Sequence, residues 1–341
     1  MKILVSGGCG FVGSNLCIYL KKKLKKIKIY SVDNLFRKGS EINQKRLKNV
    51  GIKNYKFDIS NLKKIQSLPK VNLIIDCCAE PSVEISKNEI DRVIYTNFIG
   101  TFNMLKKCIA DKANIIFLSS SRVYSINAIK NLTKKIKLNN NFIPKKSIDE
   151  NFDTSGIKSI YGLTKLSSED LIKEINYSHK IKYIINRFGV IAGPWQFGKQ
   201  DQGFVTLWVA KHMLKKKLSY IGFKGTGLQA RDIIHIQDVC EIIFKQIKKI
   251  NKISNQTFNI GGGPKSYTNL KQLTYICEKI TNNKVKIEKV LKTSNYDIPY
   301  FLTNNSKVKK FYKWMPKKNI NNIIFDIFIW LKKNKKILNL F

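Results

Sequence analysis

Short apolar or aromatic runs recur along the first half of the chain, at 2–6, 27–32, 53–57, 72–77, 113–119 and 181–186. Each is too short for a helix and predicts a strand. Between them, the stretches 13–24, 40–49, 61–67, 92–110 and 160–177 carry apolar residues at helical spacing and predict helices. Strand and helix in alternation predict an α/β chain built on a doubly wound parallel sheet with helices on both faces. After residue 188 the rhythm breaks. Gly189, Gly193-Pro194, Gly198, Gly203, Gly222, Gly225, Gly227 and Gly261-Gly-Gly-Pro264 divide the chain into short elements. This predicts a first domain over 1–187 and a smaller C-terminal substrate-binding lobe over 188–341, some segments of which return to the first. The stretch 126–158, rich in Asn, Lys, Ile and Ser, has little periodicity and reads as a long loop or cap.

The first strand runs into Ser6-Gly7-Gly-Cys-Gly10-Phe11-Val12-Gly13, and a helix follows. Glycines at 7, 10 and 13 let backbone N–H groups approach an anion, and the helix dipole favours its charge. Asp33 ends the second apolar run, twenty positions past Gly13, where a ribose-binding carboxylate belongs. Together these predict a dinucleotide site on a Rossmann-type sheet. The charge of Asp33 repels a 2′-phosphate, so NAD is expected over NADP, although Arg37 and Lys38 follow closely. Asp58, after the third strand, is placed to reach an adenine amino group. Cys78-Ala79-Glu80-Pro81, after the fourth, offers small residues beside the middle of the cofactor.

Composition narrows the partners. With 63 Lys and Arg against 23 Asp and Glu, the net charge is +40. Lys, Asn and Ile are the residues of AT-rich codons, and lysine runs are ordinarily solvated helix faces. No aromatic platform or recognition module accompanies them, so no nucleic acid is expected, while an anionic small substrate would be attracted. The seven cysteines, Cys9, Cys17, Cys77, Cys78, Cys108, Cys240 and Cys277, are scattered, and histidines number three. That excludes a zinc or disulfide framework, predicts no metal, and suits a reducing cytoplasm. With a strand read from residue 2, no leader is expected. No run of about 18 apolar residues predicts a membrane insertion. The stretch from Ile323 to Leu331, interrupted by Asp326, reads as a packed amphipathic helix.

Tyr161-Gly-Leu-Thr-Lys165 sets a phenol and an ammonium four apart at a helix start, on one face. The ammonium is expected to lower the phenol's pKa toward neutrality and make it a base. Ser119-Ser120-Ser121 ends a strand, and Ser120 is the candidate to hold the same substrate hydroxyl, with Ser119 and Ser121 as alternatives.

At these residues the chain resembles the extended short-chain dehydrogenase/reductases of the nucleotide-sugar epimerase/dehydratase group. The marks are Gly7 to Gly13, Asp33-Asn34-Leu35, Asn97-Phe-Ile-Gly-Thr101, Ser119 to Tyr124, Tyr161 to Lys165 and Arg231-Asp232. The resemblance implies that Asn97 holds active-site backbone and that Arg231 binds a pyrophosphate. Three segments, 33–39, 186–203 and 218–232, are similar to the CDP-paratose (CDP-tyvelose) 2-epimerases within that group. This implies epimerisation of a CDP-sugar at C2 through a transient keto intermediate, tightly held NAD, a homo-oligomer and a place in surface polysaccharide synthesis. The expected cofactor set is Gly7, Gly10, Phe11, Val12, Gly13, Asp33, Asn34, Arg37, Asp58, Ile59, Ala79, Asn97, Tyr161 and Lys165. The expected substrate set is Glu80, Ser120, Asn186, Gln202 and Arg231. A UDP-sugar 4-epimerase shares this chemistry. A 4,6-dehydratase needs an Asp-Glu pair where Ser121-Arg122 stands. A non-enzymatic NAD- or RNA-binding relative would tend to lose the tyrosine or the lysine.

Overall fold

The computed structural model describes residues 1–83, 85–134, 146–199 and 202–341, apart from the side chains of Ser86 and Lys87. Seven strands form the main sheet: β1 (Lys2–Ser6), β2 (Lys28–Val32), β3 (Lys53–Tyr55), β4 (Leu73–Asp76), β5 (Asn114–Ser120), β6 (Tyr183–Phe188) and β7 (Gln256–Ile260). Their order is β3-β2-β1-β4-β5-β6-β7. The pairs β1–β2, β2–β3, β1–β4 and β4–β5 are parallel. Ile3, Leu4 and Val5 are fully buried, as are Ile74 and Ile75. Helices cover both faces, which is why these strands read as unbroken apolar runs instead of alternating ones. One face carries Leu4, Ile74, Ile115 and Phe117 against Met104, Leu105 and Ile172 from two helices. The helix Phe11–Lys23 buries Leu16, Cys17 and Leu20 and ends on Lys21-Lys22-Lys23, whose charges suit the negative end of its dipole.

The strand order reverses between β1 and β4, which opens a crevice at their carboxyl ends. Ser6 and Asp76 are the last paired residues there, and the Ser6 hydroxyl donates to the Asp76 carboxylate.

The chain forms two compact units. The first comprises 1–123, 159–187 and 240–258; the second comprises 124–158, 188–239 and 259–341. The stretch 124–158 therefore groups with the second unit, although the sequence pattern assigned it to the first. It is also less of a loop than expected: Ile126–Lys134 is a helix that buries Ile126, Ile129 and Thr133. Residues 135–145 of that expected cap lie outside the described residues. In the second unit, Ala230–His235 pairs with Val190–Ala192, Tyr267–Asn269 and Tyr300–Phe301. The helices Phe204–Met213, Leu270–Thr281 and Ile320–Lys333 share a core there around Trp208, Leu273 and Ile327. No helix among the described residues is long and apolar enough to cross a membrane.

Candidate active site

The glycine turn is shaped by close backbone approach. Gly7 has φ +60°, and a Cβ on it would stand 2.9 Å from the Cα of Cys78 in the loop after β4. A Cβ on Gly13 would stand 2.2 Å from the Gly7 carbonyl oxygen. Gly10 caps the helix Phe11–Lys23 with no side-chain acceptor, and no carboxylate lies in its first turn. The N–H groups around Phe11 and Val12 and the positive end of the dipole are thus left for an anion. Asp33 braces the turn. Its carboxylate accepts the Cys9 N–H at 3.0 Å and the Leu35 N–H at 2.8 Å. Burial pushes its pKa up, and the backbone N–H groups of Leu35, Cys9 and Gly10 pull it back. Each carboxylate oxygen has two acceptor sites, so capacity for ribose hydroxyls remains. This cradle fits a dinucleotide.

Asn34 donates from its amide to Asp58 at 2.7 Å, and Asp58 also accepts the Ser60 N–H at 2.8 Å. Burial raises the Asp58 pKa, but the bonds from Ser60 and Asn34 outweigh it and leave it lowered. Ile59 is buried, and Gly100 leaves it room: a Cβ there would stand 2.3 Å from the Ile59 Cδ1. Ala79 sits in the loop after β4, beside Glu80.

Glu80 is buried at 5% exposure. Its backbone N–H donates to the Asn97 amide oxygen at 2.7 Å, and its carbonyl accepts from the Asn97 amide at 3.1 Å. The same amide donates to the Thr164 hydroxyl at 3.2 Å. Asn97 lies in a π-helical turn, Tyr95–Ile99, which interrupts the helix expected over 92–110. Such a turn re-aims side chains and occurs often at functional sites.

Tyr161 and Lys165 stand in the first turns of the helix Ile160–His179, whose N-cap Ser159 accepts the Gly162 N–H at 3.2 Å. Both are buried, at 9% and 2% exposure. The Tyr161 phenol is hydrogen-bonded to the Ser120 side chain. Ser120 Oγ in turn accepts the Arg122 N–H at 3.1 Å. Ser119 is not its equal: its hydroxyl donates to Glu169, which also holds Arg187 through bonds of 2.7 to 3.1 Å.

The expected lowering of the phenol's pKa is corrected by the structure. Burial raises it; the Ser120 bond and the Arg122 charge pull it down, and Glu80 pushes it up. Burial wins because a phenolate loses water there. The Lys165 ammonium lies 4.4 Å from the centre of the Phe117 ring. Burial lowers its pKa, while Asp76, the two cysteines after it and Glu169 act upward.

Asn186 departs from its expected role. It is fully buried, and its amide is closed reciprocally on Gln246, at 2.8 and 2.7 Å, inside the first unit. Two neutral amides that satisfy each other form a structural pair, so its side chain drops out of the substrate set. Gln202 and Arg231 belong to the second unit. Gln202 donates its N–H to the Lys199 carbonyl at 3.2 Å. Arg231 donates to the Ala230 carbonyl at 2.8 Å and to Asp297 at 3.3 Å. Its neighbour Asp232 is a buried clamp that accepts from Gly263 and Thr303. Arg37 lies 3.7 Å from Glu80. Arg92, which holds the same carboxylate at 3.1 Å, was not foreseen, and no local motif marks it.

Residues 3–261 match the model of the NAD dependent epimerase/dehydratase family. The chain belongs to that family. Its cofactor is NAD, and the cradle at Gly7–Gly13 with Asp33 fits that group. The chain is 26% identical to the CDP-paratose 2-epimerase of Salmonella typhi over 97% of its own length and 99% of the relative's. It is 30% identical to a dTDP-D-glucose 4,6-dehydratase of Dictyostelium discoideum over 76% of its length and 58% of that protein's. Among solved structures, the UDP-glucose 4-epimerase of Thermotoga maritima has the same fold, with a TM-score of 0.83 at 24% identity over 98% of this chain and 100% of the other. So has a UDP-glucuronic acid 4-epimerase of Bacillus cereus, solved with UDP-glucuronic acid and NAD, with a TM-score of 0.82 at 22% identity over the same shares.

Proposed function

We propose that the protein epimerises a nucleotide sugar through a transient keto intermediate, and that its substrate is CDP-paratose or CDP-tyvelose, inverted at C2. The observation that carries the chemistry is the Tyr161–Ser120 hydrogen bond with Lys165 one turn on. The near full-length similarity to a CDP-paratose 2-epimerase supports the substrate. Tyr161, once ionised, takes the proton of the sugar hydroxyl. Ser120 holds that oxygen and then the keto oxygen. Lys165 supplies positive charge on the tyrosine's helix face. The Gly7–Gly13 turn and Asp33 would hold NAD, which would supply a hydride acceptor and donor for the same carbon. The keto sugar turns over between the two transfers, so return to its other face inverts the centre. Arg231 is the candidate for the pyrophosphate, and the cofactor contacts are those expected above.

The reading extends to the surroundings. The first unit would bind NAD and the second the sugar nucleotide. Ile90, Ile94, Tyr95 and Phe102 are 36 to 59% exposed on the first unit's helices, which supports a homo-oligomer. A cytoplasmic place in surface polysaccharide synthesis follows from the CDP-sugar.

A UDP-sugar 4-epimerase is the second reading, since the hydrogen-bonded Tyr161 and Ser120 with Lys165 one turn on would serve oxidation at C4 as well. A dehydratase is disfavoured, since Arg122 stands in the 3-10 turn after Ser120 where a carboxylic acid would be needed. Proton NMR of the protein with NAD⁺ separates the two. Interconversion of CDP-paratose and CDP-tyvelose is expected. UDP-galactose formed from UDP-glucose, with the CDP-sugars unchanged, would move the function to C4. Tyr161→Phe should lower turnover by about 100-fold or more while NAD still binds.

A further inference from the structure

Cys9 sits inside the glycine turn and is held from two sides. Its N–H donates to the Asp33 carboxylate at 3.0 Å, and its carbonyl accepts from the Asn43 amide at 3.0 Å. The next N–H, that of Gly10, donates to the Gly7 carbonyl at 3.0 Å. Both polar atoms of the Cys9–Gly10 peptide are therefore bonded, and that peptide leads straight into the helix Phe11–Lys23.

Asn43 comes from the next helix, Ser40–Asn49, and is 1% exposed, while Cys9 is fully buried. Its Oδ1 accepts from Arg46 Nη1 at 2.7 Å. A guanidinium only donates and a carbonyl only accepts, so an amide between the two stands one way round. Arg46 follows three residues later on the same helix face. Its Nη1 also reaches Ser14 Oγ at 3.3 Å, and its Nη2 reaches Asn15 Oδ1 at 3.2 Å. Asn15 donates in turn to the Phe11 carbonyl at 2.9 Å. One planar fork thus joins the amide that holds the turn to the first turns of the helix that follows it. A guanidinium suits that task better than an ammonium, whose single nitrogen fixes no such plane.

We propose that Asn43 and Arg46 are positioning residues for the cofactor: Arg46 fixes the Asn43 amide, and the amide holds the Cys9 carbonyl so that the turn is preset to receive the pyrophosphate. A Cys9 carbonyl released by Asn43 is buried without a donor, which drives the turn toward other courses. Affinity then falls with the fraction of turns that keep the competent course. The inference rests on the reading of Gly7–Gly13 as the pyrophosphate cradle.

The test is calorimetric titration of the full chain with NAD⁺, and competition of adenosine against it. Adenosine carries no phosphate, so it reports the rest of the cofactor site and the general state of the fold. Asn43→Ala should weaken NAD⁺ by about tenfold and adenosine by less than about twofold. Arg46→Gln, at a half-buried position that tolerates change, should weaken NAD⁺ by about threefold and serves where Asn43→Ala does not fold. The double variant should bind NAD⁺ as Asn43→Ala does, because Arg46 acts through the amide. Unchanged NAD⁺ binding in the single variants overturns the inference, as does an equal loss of NAD⁺ and adenosine, which would mark plain damage to the fold. Losses that multiply in the double variant overturn it too, since Arg46 would then act by its own charge. Gly13→Ala separates the inference from the reading beneath it. If Gly13→Ala loses NAD⁺ and Asn43→Ala does not, the inference alone falls. If Gly13→Ala binds NAD⁺ as the wild type does, the cradle reading falls and the inference with it.

Discussion

Asn97 holds Glu80 by both ends of its peptide environment: it accepts the Glu80 N–H at 2.7 Å and donates to the Glu80 carbonyl at 3.1 Å. A side-chain amide is the group that can do both at once. Because the same NH2 reaches Thr164, Asn97 ties the loop after β4 to the helix of Tyr161. Asn97→Ala leaves the Glu80 N–H buried without its acceptor. The expected cost is about 1 to 3 kcal/mol of stability, read by urea denaturation, with a loss of turnover beyond it. A stability change under about 0.5 kcal/mol would mean that the loop holds itself.

Glycine is needed unequally along the turn. Gly13→Ala would place a methyl 2.2 Å from the Gly7 oxygen and 2.8 Å from the Gly8 Cα, so backbone must move. Gly10→Ala meets one neighbour, the Gly7 oxygen, at 3.1 Å. Calorimetric titration with NAD⁺ should show at least a tenfold loss for Gly13→Ala and a smaller one for Gly10→Ala. Equal losses would show that space, as opposed to backbone course, is not what the glycines supply.

The two serines that end β5 should separate in one experiment. Ser120→Ala removes the group bonded to Tyr161 and should lower kcat by about 100-fold, with the thermal midpoint little changed. Ser119→Ala removes a bond to the buried Glu169–Arg187 pair and should act mainly on stability. Reversed effects would exchange their roles.

The strands β1 and β2 fall within a residue of the runs that announced them, because both are bounded by charged or glycine-rich turns and buried on both faces. The tight glycine turn with Asp33 beside it, and the meeting of Ser120 with Tyr161, were legible for a related reason: each rests on short spacing at a strand end or a helix start. What depends on distant partners was not. The Asn186–Gln246 pair spans 60 positions, and Arg92 meets Glu80 from the helix Ile90–Ile94, 12 positions on, with no local pattern to mark it. The helix Ile126–Lys134 was missed despite buried residues at 126, 129 and 133, because Asn, Lys and Ile fill the whole stretch and blur its face.

His235 gives the second unit a pH dependence of its own. It is buried, Nδ1 accepts the Gln237 N–H at 3.1 Å, and Asp326 lies 3.5 Å from Nε2, which lacks a hydrogen-bond partner. Burial lowers its pKa from the ordinary 6.5 to about 4; Asp326 acts upward and Lys318 downward. Between those values the unfolded chain binds a proton that the folded chain refuses. Stability therefore falls as pH drops through 6.5 toward 4 and levels off below, by an amount on the order of 3 kcal/mol. Urea denaturation at pH 7, 5.5 and 4 should show this slope, and His235→Gln should flatten it by that share while carboxylates elsewhere keep theirs. A variant whose stability follows the wild type in parallel across this range would mean that the imidazole finds a proton acceptor on folding.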